Sequence, residues 1–294
     1  MVKILKQKLV WVRNLLIFKK YDFLAKANKT TFRVNPEADF VVSIACYPKR
    51  DPLLPAVYEA LNNQTSVPRK WILVLSEEDY PQGLPKHLIK LENLGLEILW
   101  VKDNPYAVKK LIPVIEKYPH LSIITLDDDI IYHSSLIKGL LVEANKSPNS
   151  VIGYVGKAML KKDKQLEMFY RERKPASNTT PAEQVYLIGW GGIYYPPKSL
   201  DERVLHMEAV HRIVPGRGSD FWFWAAAHVV DTKQLCLGVP TSYNLGIAIP
   251  QNNETKPKDQ PGTEVILERF QMAIDYFGIR EKLLSILPDE ENKI

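Results

Sequence analysis

Cysteine is almost missing from this chain. Cys46 and Cys236 lie far apart, which excludes a disulfide framework and any site with cysteine metal-ligand spacing. Cys46 sits inside an apolar run and reads as a small buried hydrophobe, so a reducing cytosol is the expected compartment. Glycine is scarce as well, 14 residues against 21 prolines. No apolar stretch approaches the roughly 20 residues that a membrane span needs, because charges interrupt each candidate. Internal repeats and low-complexity tracts are also lacking. The tripeptides at Asn28, Asn63, Asn178 and Asn253 match glycosylation acceptors, but without a secretory signal they are expected to be chance matches.

What is present is the composition of a soluble globular protein, 46% hydrophobic and 25% charged. At 294 residues it can form one continuous α/β body. A net charge of +5 suits an anionic partner. The positive charge concentrates at the N-terminus and no nucleic-acid reading motif accompanies it, so nucleic acid is not an expected partner. From Met1 to Lys29 the basic residues are Lys3, Lys6, Lys8, Arg13, Lys19, Lys20, Lys26 and Lys29, and Asp22 is the only acid. Leu5, Leu9, Val12 and Leu16 fall on one helical stripe, with Trp11 and Phe18 nearby. The simpler expectation is a helix packed on its own domain or on a partner subunit. The alternative is peripheral contact with the inner face of a membrane through residues 1–29.

From Phe40 the pattern becomes that of buried strands alternating with helices. Phe40 to Cys46, Trp71 to Leu75, Leu96 to Val101 and His120 to Leu126 are short apolar runs rich in β-branched residues. Helical spacing separates them over Pro52 to Gln64, Pro85 to Leu94 and Ala107 to Tyr118. Such alternation implies a mostly parallel sheet flanked by helices, with ligands beyond the carboxyl ends of the strands. After a helix from Ser134 to about Ala144, loops and an inserted hairpin are expected through Asn178 and Thr180. Val185 to Tyr195, Asp220 to Val230 and Ser242 to Ile249 form a second half. A helix from Thr263 to Phe277 closes it, capped by Gly278. The boundaries read as a basic helical segment over 1–36, a catalytic body over 37–262 and a C-terminal helical part over 263–294.

The fourth strand runs straight into Asp127-Asp128-Asp129. Three like charges at a buried rim are unfavourable without a cation. Mg²⁺ or Mn²⁺ would take these carboxylates together with phosphate oxygens; the competing view is a solvated acidic turn. Lys109 and Lys110 lie just upstream and fit either a bound anion or a solvated helix face. Gly189-Trp190-Gly191-Gly192 combines close backbone approach with a flat aromatic face suited to a sugar ring; a structural glycine turn is the competing reading. Ser219-Asp220 opens an aromatic helix, where Asp220 is either a helix cap or a reactive carboxylate. Gln251 to Gly262, with Lys256 and Lys258, is either a connector or a segment closing over a diphosphate.

A strand, Asp-x-Asp, apolar residues and then a helix resembles the centre of GT-A-type, family-2-like glycosyltransferases that use nucleotide sugars, and the resemblance spans roughly Phe40 to Val230. It implies an α/β fold with a Rossmann-like, mixed but mostly parallel sheet. It further implies that Tyr47-Pro48-Lys49-Arg50, with Lys109, Lys110, Asp127 and Asp128, holds the nucleotide, and that Asp127 and Asp129 bind Mn²⁺ or Mg²⁺. Trp190, Gly191, Gly192 and Ser219 would contact the donor sugar or the acceptor, a glycan or lipid-linked hydroxyl. Asp220 would be the general base; the family's usual Glu-Asp pair is Ser219-Asp220 here. A haloacid-dehalogenase-like phosphatase also uses Asp-x-Asp, but on an early strand. A sugar nucleotidyltransferase needs a glycine-rich loop after the first strand, and Tyr47-Pro48-Lys49-Arg50 has no glycine. A carbohydrate-binding protein without turnover is the remaining alternative.

Overall fold

A 26-residue helix, α1 (Val2–Ala27), precedes the first strand, β1 (Phe40–Ala45). Helices and strands then alternate through α2 (Leu54–Leu61), β2 (Trp71–Ser76), α3 (Lys86–Asn93), β3 (Glu97–Val101), α4 (Ile112–Lys117) and β4 (Ser122–Leu126). The next elements are β5 (Ile130–Tyr132), α5 (Leu136–Lys146), β6 (Val151–Gly153), β7 (Gly156–Ala158), β8 (Leu160–Lys162), β9 (Gln165–Glu167), β10 (Val185–Leu187) and β11 (Ile193–Tyr195). The chain continues through α6 (Met207–Ile213), α7 (Ser219–Val229), β12 (Gln234–Cys236), β13 (Gly246–Ala248), α8 (Thr263–Phe277) and α9 (Arg280–Ile286). This computed structural model describes residues 2–27, 31–162, 165–167, 180–242, 244–251 and 262–287. Asn28, Asn178, Asn253, Lys256 and Lys258 therefore lie outside the described residues.

Seven strands form the main sheet in the order β12-β6-β11-β4-β1-β2-β3. β3, β2, β1 and β4 run parallel, β11 is antiparallel to both its neighbours, and β12 is parallel to β6. The sheet is thus mixed and mostly parallel, as the alternation of strands and helices predicts. Successive side chains on a strand face opposite sides, and the two cores divide accordingly. Val41, Ile72, Val74 and Ile123 join the core built on α7 and α8, while Val42, Ile44, Leu73, Leu75, Ile124 and Leu126 join the core under α2 and α5. Burial on both faces explains why these strands read as continuous apolar runs.

The helix expected across Ala107 to Tyr118 is two pieces. Tyr106–Lys110 is a 3-10 turn, and α4 starts afresh at Ile112. Pro113 is the reason, since it lacks the N–H a continuous helix would need and fits only the first turn of a new one. The hairpin expected after α5 is the antiparallel β8–β9 pair. Gly278 ends α8 with φ of 68°, the left-handed cap its position predicts. α8 packs on α7 through edge-on Phe221–Phe270 and stacked Trp222–Tyr276 contacts.

Candidate active site

Because β1 to β4 are parallel, their carboxyl ends open on one rim of the sheet. A cavity of about 1240 Å³ lies there. Tyr47, Lys49 and Arg50 enter it after β1, Glu78 and Asp79 after β2, Asn104, Lys109 and Lys110 after β3, and Asp127 and Asp128 after β4. Gly189, Trp190, Ser219, Asp220 and Arg269 contribute further lining.

The rim is a lattice of opposite charges. Lys110 Nζ lies 2.9 Å from Asp127 Oδ1, while Arg50 reaches Asp128 at 2.7 Å and Asp129 at 3.2 Å. Gln251 Nε2 donates to Asp129 as well. Lys109 pairs with Asp79 at 3.4 Å and donates to Asn104 Oδ1 at 3.1 Å. Burial dominates the titration of these groups. It pushes Asp128 up to about 6, because desolvation outweighs the Arg50 cation. Burial likewise raises Asp129 and lowers Lys109. For Lys110, burial alone would lower the pKa, but Asp127 and Asp220 together reverse that and hold the ammonium charged.

Asp220 is inside the first turn of α7 and is not its cap; Gly218 takes the cap position without a side-chain hydrogen bond. The Asp220 carboxylate instead leaves the helix and accepts from the Gly189 backbone N–H at 3.1 Å. Burial raises its pKa, partly offset by Lys110 and by that N–H. A Cβ at Gly189 would lie 3.0 Å from both Asp220 Oδ1 and Lys110 Nζ, so a side chain there would push those two charged groups aside. Asp220 and Ser219 also line a second cavity of about 160 Å³, whose walls include Lys157, Met159, Tyr186, Arg217 and Ile266. One half-buried acidic residue therefore lines two spaces.

Not every expected residue reaches the cavity. Pro48 is exposed on its turn, and Asp129 faces Arg50 and Gln251 outside the cavity lining. Gly191 and Gly192 are buried turn glycines with neighbours that leave no room for a side chain. A Cβ on Gly191 would meet Val155 at 2.6 Å, and Gly192 adopts φ of +82° against Leu126. Trp190, 43% exposed, does line the cavity. Glu78, Asp79, Asn104 and Arg269 had no motif to mark them, although Glu78 and Asp79 lie two and three residues past the end of β2. Arg269 belongs to α8 and supports the Pro215–Arg217 turn through the Pro215 carbonyl at 2.6 Å.

Among the described residues there is no group of three or more histidine, cysteine or acidic side chains that could hold a metal by themselves. The donors here fit a different kind of ion. Mg²⁺ and Mn²⁺ are held by one or two carboxylates, keep waters and complete their shell with substrate phosphates. Asp127 is open to the cavity and could supply one such oxygen donor, whereas Asp129 lies beside it outside the lining and is engaged by Arg50 and Gln251, so its carboxylate would have to exchange those partners for the ion.

No family model matches the chain, and no curated protein matches it. Solved structures do. The crystal structure of S. aureus TarS residues 1–349 in complex with UDP-GlcNAc aligns with 86% of this chain and 74% of that chain, at 12% identity and a TM-score of 0.50. The chain has the GT-A-type fold. A second structure of TarS 1–349 aligns at 13% identity and a TM-score of 0.44, where this chain spans 58% of the TarS length. CMP:2-keto-3-deoxy-manno-octonic acid synthetase complexed with CTP aligns with 68% of this chain and 89% of that one, at 14% identity and a TM-score of 0.41. In this GT-A-type sheet the acidic turn follows β4, and Asp220, in the first turn of α7, lies near the Lys110 ammonium that also pairs with Asp127.

Proposed function

We propose that this protein is a glycosyltransferase that moves a sugar from a nucleoside-diphosphate sugar to a hydroxyl of a glycan or lipid-linked acceptor. The observation that carries this reading is Asp220. It is a half-buried carboxylate of raised pKa that lines both a large charged cavity and a small, mostly apolar one. The large cavity suits the donor: Tyr47, Lys49 and Arg50 take the nucleotide, Lys109 and Lys110 face its phosphates, and Trp190 offers a ring face to the sugar. The small cavity suits the acceptor. Residues 37–262 form the catalytic body in this reading, and residues 1–29 bring it to the inner face of a membrane.

Asp127 and Asp129 would hold Mn²⁺ or Mg²⁺, which when bound neutralises the departing diphosphate. Asp128 braces Arg50. Asp220 accepts the acceptor's hydroxyl proton as that oxygen bonds to the anomeric carbon. The bond from that carbon to the diphosphate breaks, and its electron pair leaves with the nucleotide. In-line attack of this kind inverts the anomeric centre. A carboxyl with a raised pKa is a stronger base than an exposed one, which suits proton abstraction near neutral pH.

The test is a donor panel. Purified protein with nucleoside-diphosphate sugars and Mn²⁺ or Mg²⁺ is expected to release nucleoside diphosphate from at least one donor, and to stop on chelation. No metal-dependent release or binding across the panel would overturn the reading. A second expectation concerns pH. Activity should fall on the acid side as Asp220 protonates. Lys110→Met removes a cation that lowers the Asp220 pKa, so the acid limb of kcat should move to higher pH. An acid limb unmoved in Lys110→Met would detach that limb from Asp220.

A further inference from the structure

α1 carries two apolar faces rather than one. Ile17, Phe18 and Tyr21 pack against the core beside α2, and Ala25 is buried. Asn14 donates to the Ala248 carbonyl at 3.1 Å, and Lys90 donates to the Ala25 carbonyl at 2.7 Å. This face fixes the helix to the body. At about 100° per residue, Leu5, Leu9, Val12, Leu16 and Phe23 fall within an arc of about 60° on the far side. They range from 46% exposed at Val12 to 70% at Phe23. Residues 5–13 are exposed on every side, so the first turns extend past the body.

Cations border the outer stripe on both sides. Lys8, Lys19 and Lys26 project on one flank, and Lys6, Arg13 and Lys20 on the other. Asp22 sits on the body side of Lys26, to which it is paired at 2.8 Å. An apolar strip between two rows of Lys and Arg is the pattern of a helix lying in the plane of a lipid surface, apolar side chains in the acyl boundary and cations at anionic headgroups. Lys26 has Asp22, but a neutral protein groove would offer no counter-charge to Lys6, Lys8, Arg13, Lys19 and Lys20. No helix among the described residues is long and apolar enough to cross a membrane.

We infer that the outer face of α1 is a docking surface for an anionic lipid bilayer, with Leu5, Leu9, Val12, Leu16 and Phe23 inserted and the flanking cations on the headgroups. The inference rests on the membrane contact in the proposed function and defines its face, depth and charge. It does not depend on sugar transfer. Anionic lipids attract each nearby cation, and a single short stripe is too weak on its own, so binding requires both terms.

The test is co-sedimentation of the full chain with vesicles, without nucleotide. Vesicles of equal parts phosphatidylcholine and phosphatidylglycerol are expected to bind at least tenfold more tightly than pure phosphatidylcholine, and about 0.5 M salt should weaken that binding. Leu9→Ser with Leu16→Ser should reduce binding at least tenfold, as should Lys6→Gln with Lys8→Gln. Both pairs are exposed, so circular dichroism and Tm should match the unaltered chain. Equal binding to the two vesicle types, or none to either, would overturn the inference. So would a dimer in light scattering that Leu9→Ser with Leu16→Ser converts to monomer, because the stripe would then join two copies. The donor panel reads nucleotide-sugar turnover in the absence of lipid, so the two proposals fail separately.

Discussion

Asp220→Asn should lower kcat for sugar transfer by about a thousandfold, within the range attributed to general base catalysis. It should change donor affinity by less than about threefold. The amide is nearly isosteric and its oxygen can still accept from the Gly189 N–H that holds the carboxylate at 3.1 Å. What it loses is the ability to take a proton. Single-turnover kinetics with a saturating donor, together with equilibrium binding of the nucleoside diphosphate, separates the two effects. Transfer within tenfold of the unaltered rate would reduce Asp220 to a residue that positions Gly189. Loss of donor affinity alone would place its charge in binding rather than in chemistry.

Replacement of the acidic turn should have the second largest effect. Asp127→Ala with Asp129→Ala is expected to lower turnover at least a hundredfold, and to raise the Mn²⁺ concentration for half-maximal activity at least tenfold. Asp128→Asn differs in kind. Asp128 is almost wholly buried and pairs with Arg50 at 2.7 Å; the change removes that charge and leaves the guanidinium with Asp129 at 3.2 Å. The loss is then only part of the cost of breaking a buried pair outright, about 3–5 kcal/mol. Asp128→Asn should therefore show mainly as a lower Tm, and Asp127→Ala mainly as a changed metal requirement. Metal activation identical in the Asp127/Asp129 variant and the unaltered chain would remove the ion from the proposal.

Legibility followed burial. Trp71 to Leu75 and His120 to Leu126 were readable as strands because both faces of the sheet are covered, which leaves no polar alternation to confuse the pattern. Ile130–Tyr132 was not, since three residues carry no period and pair with Gly246–Ala248, more than a hundred positions later in the chain. The same holds at the site. Residues attached directly to strand ends, Arg50 and Asp127 among them, were placed by topology alone. The Asp220 contact with Gly189, and the Arg269 support of the Pro215 carbonyl, are tertiary contacts between distant segments, and no local spacing encodes them. Gly191 and Gly192 illustrate the converse. Their glycines answer to Val155 and Leu126, which only packing reveals.

The acidic turn is held at both ends, by the nearby Tyr132 at one and by a segment remote in sequence at the other. The Tyr132 hydroxyl accepts from the Asp127 N–H at 2.9 Å and donates to the Trp190 carbonyl at 3.0 Å. The Ile249 N–H bonds to the Asp129 carbonyl at 2.8 Å. Neither end of the turn can relax without disturbing β5, β13 or the Trp190 loop. A cation bound there would therefore meet oxygen donors already held in place, with no backbone ordering left to accompany binding.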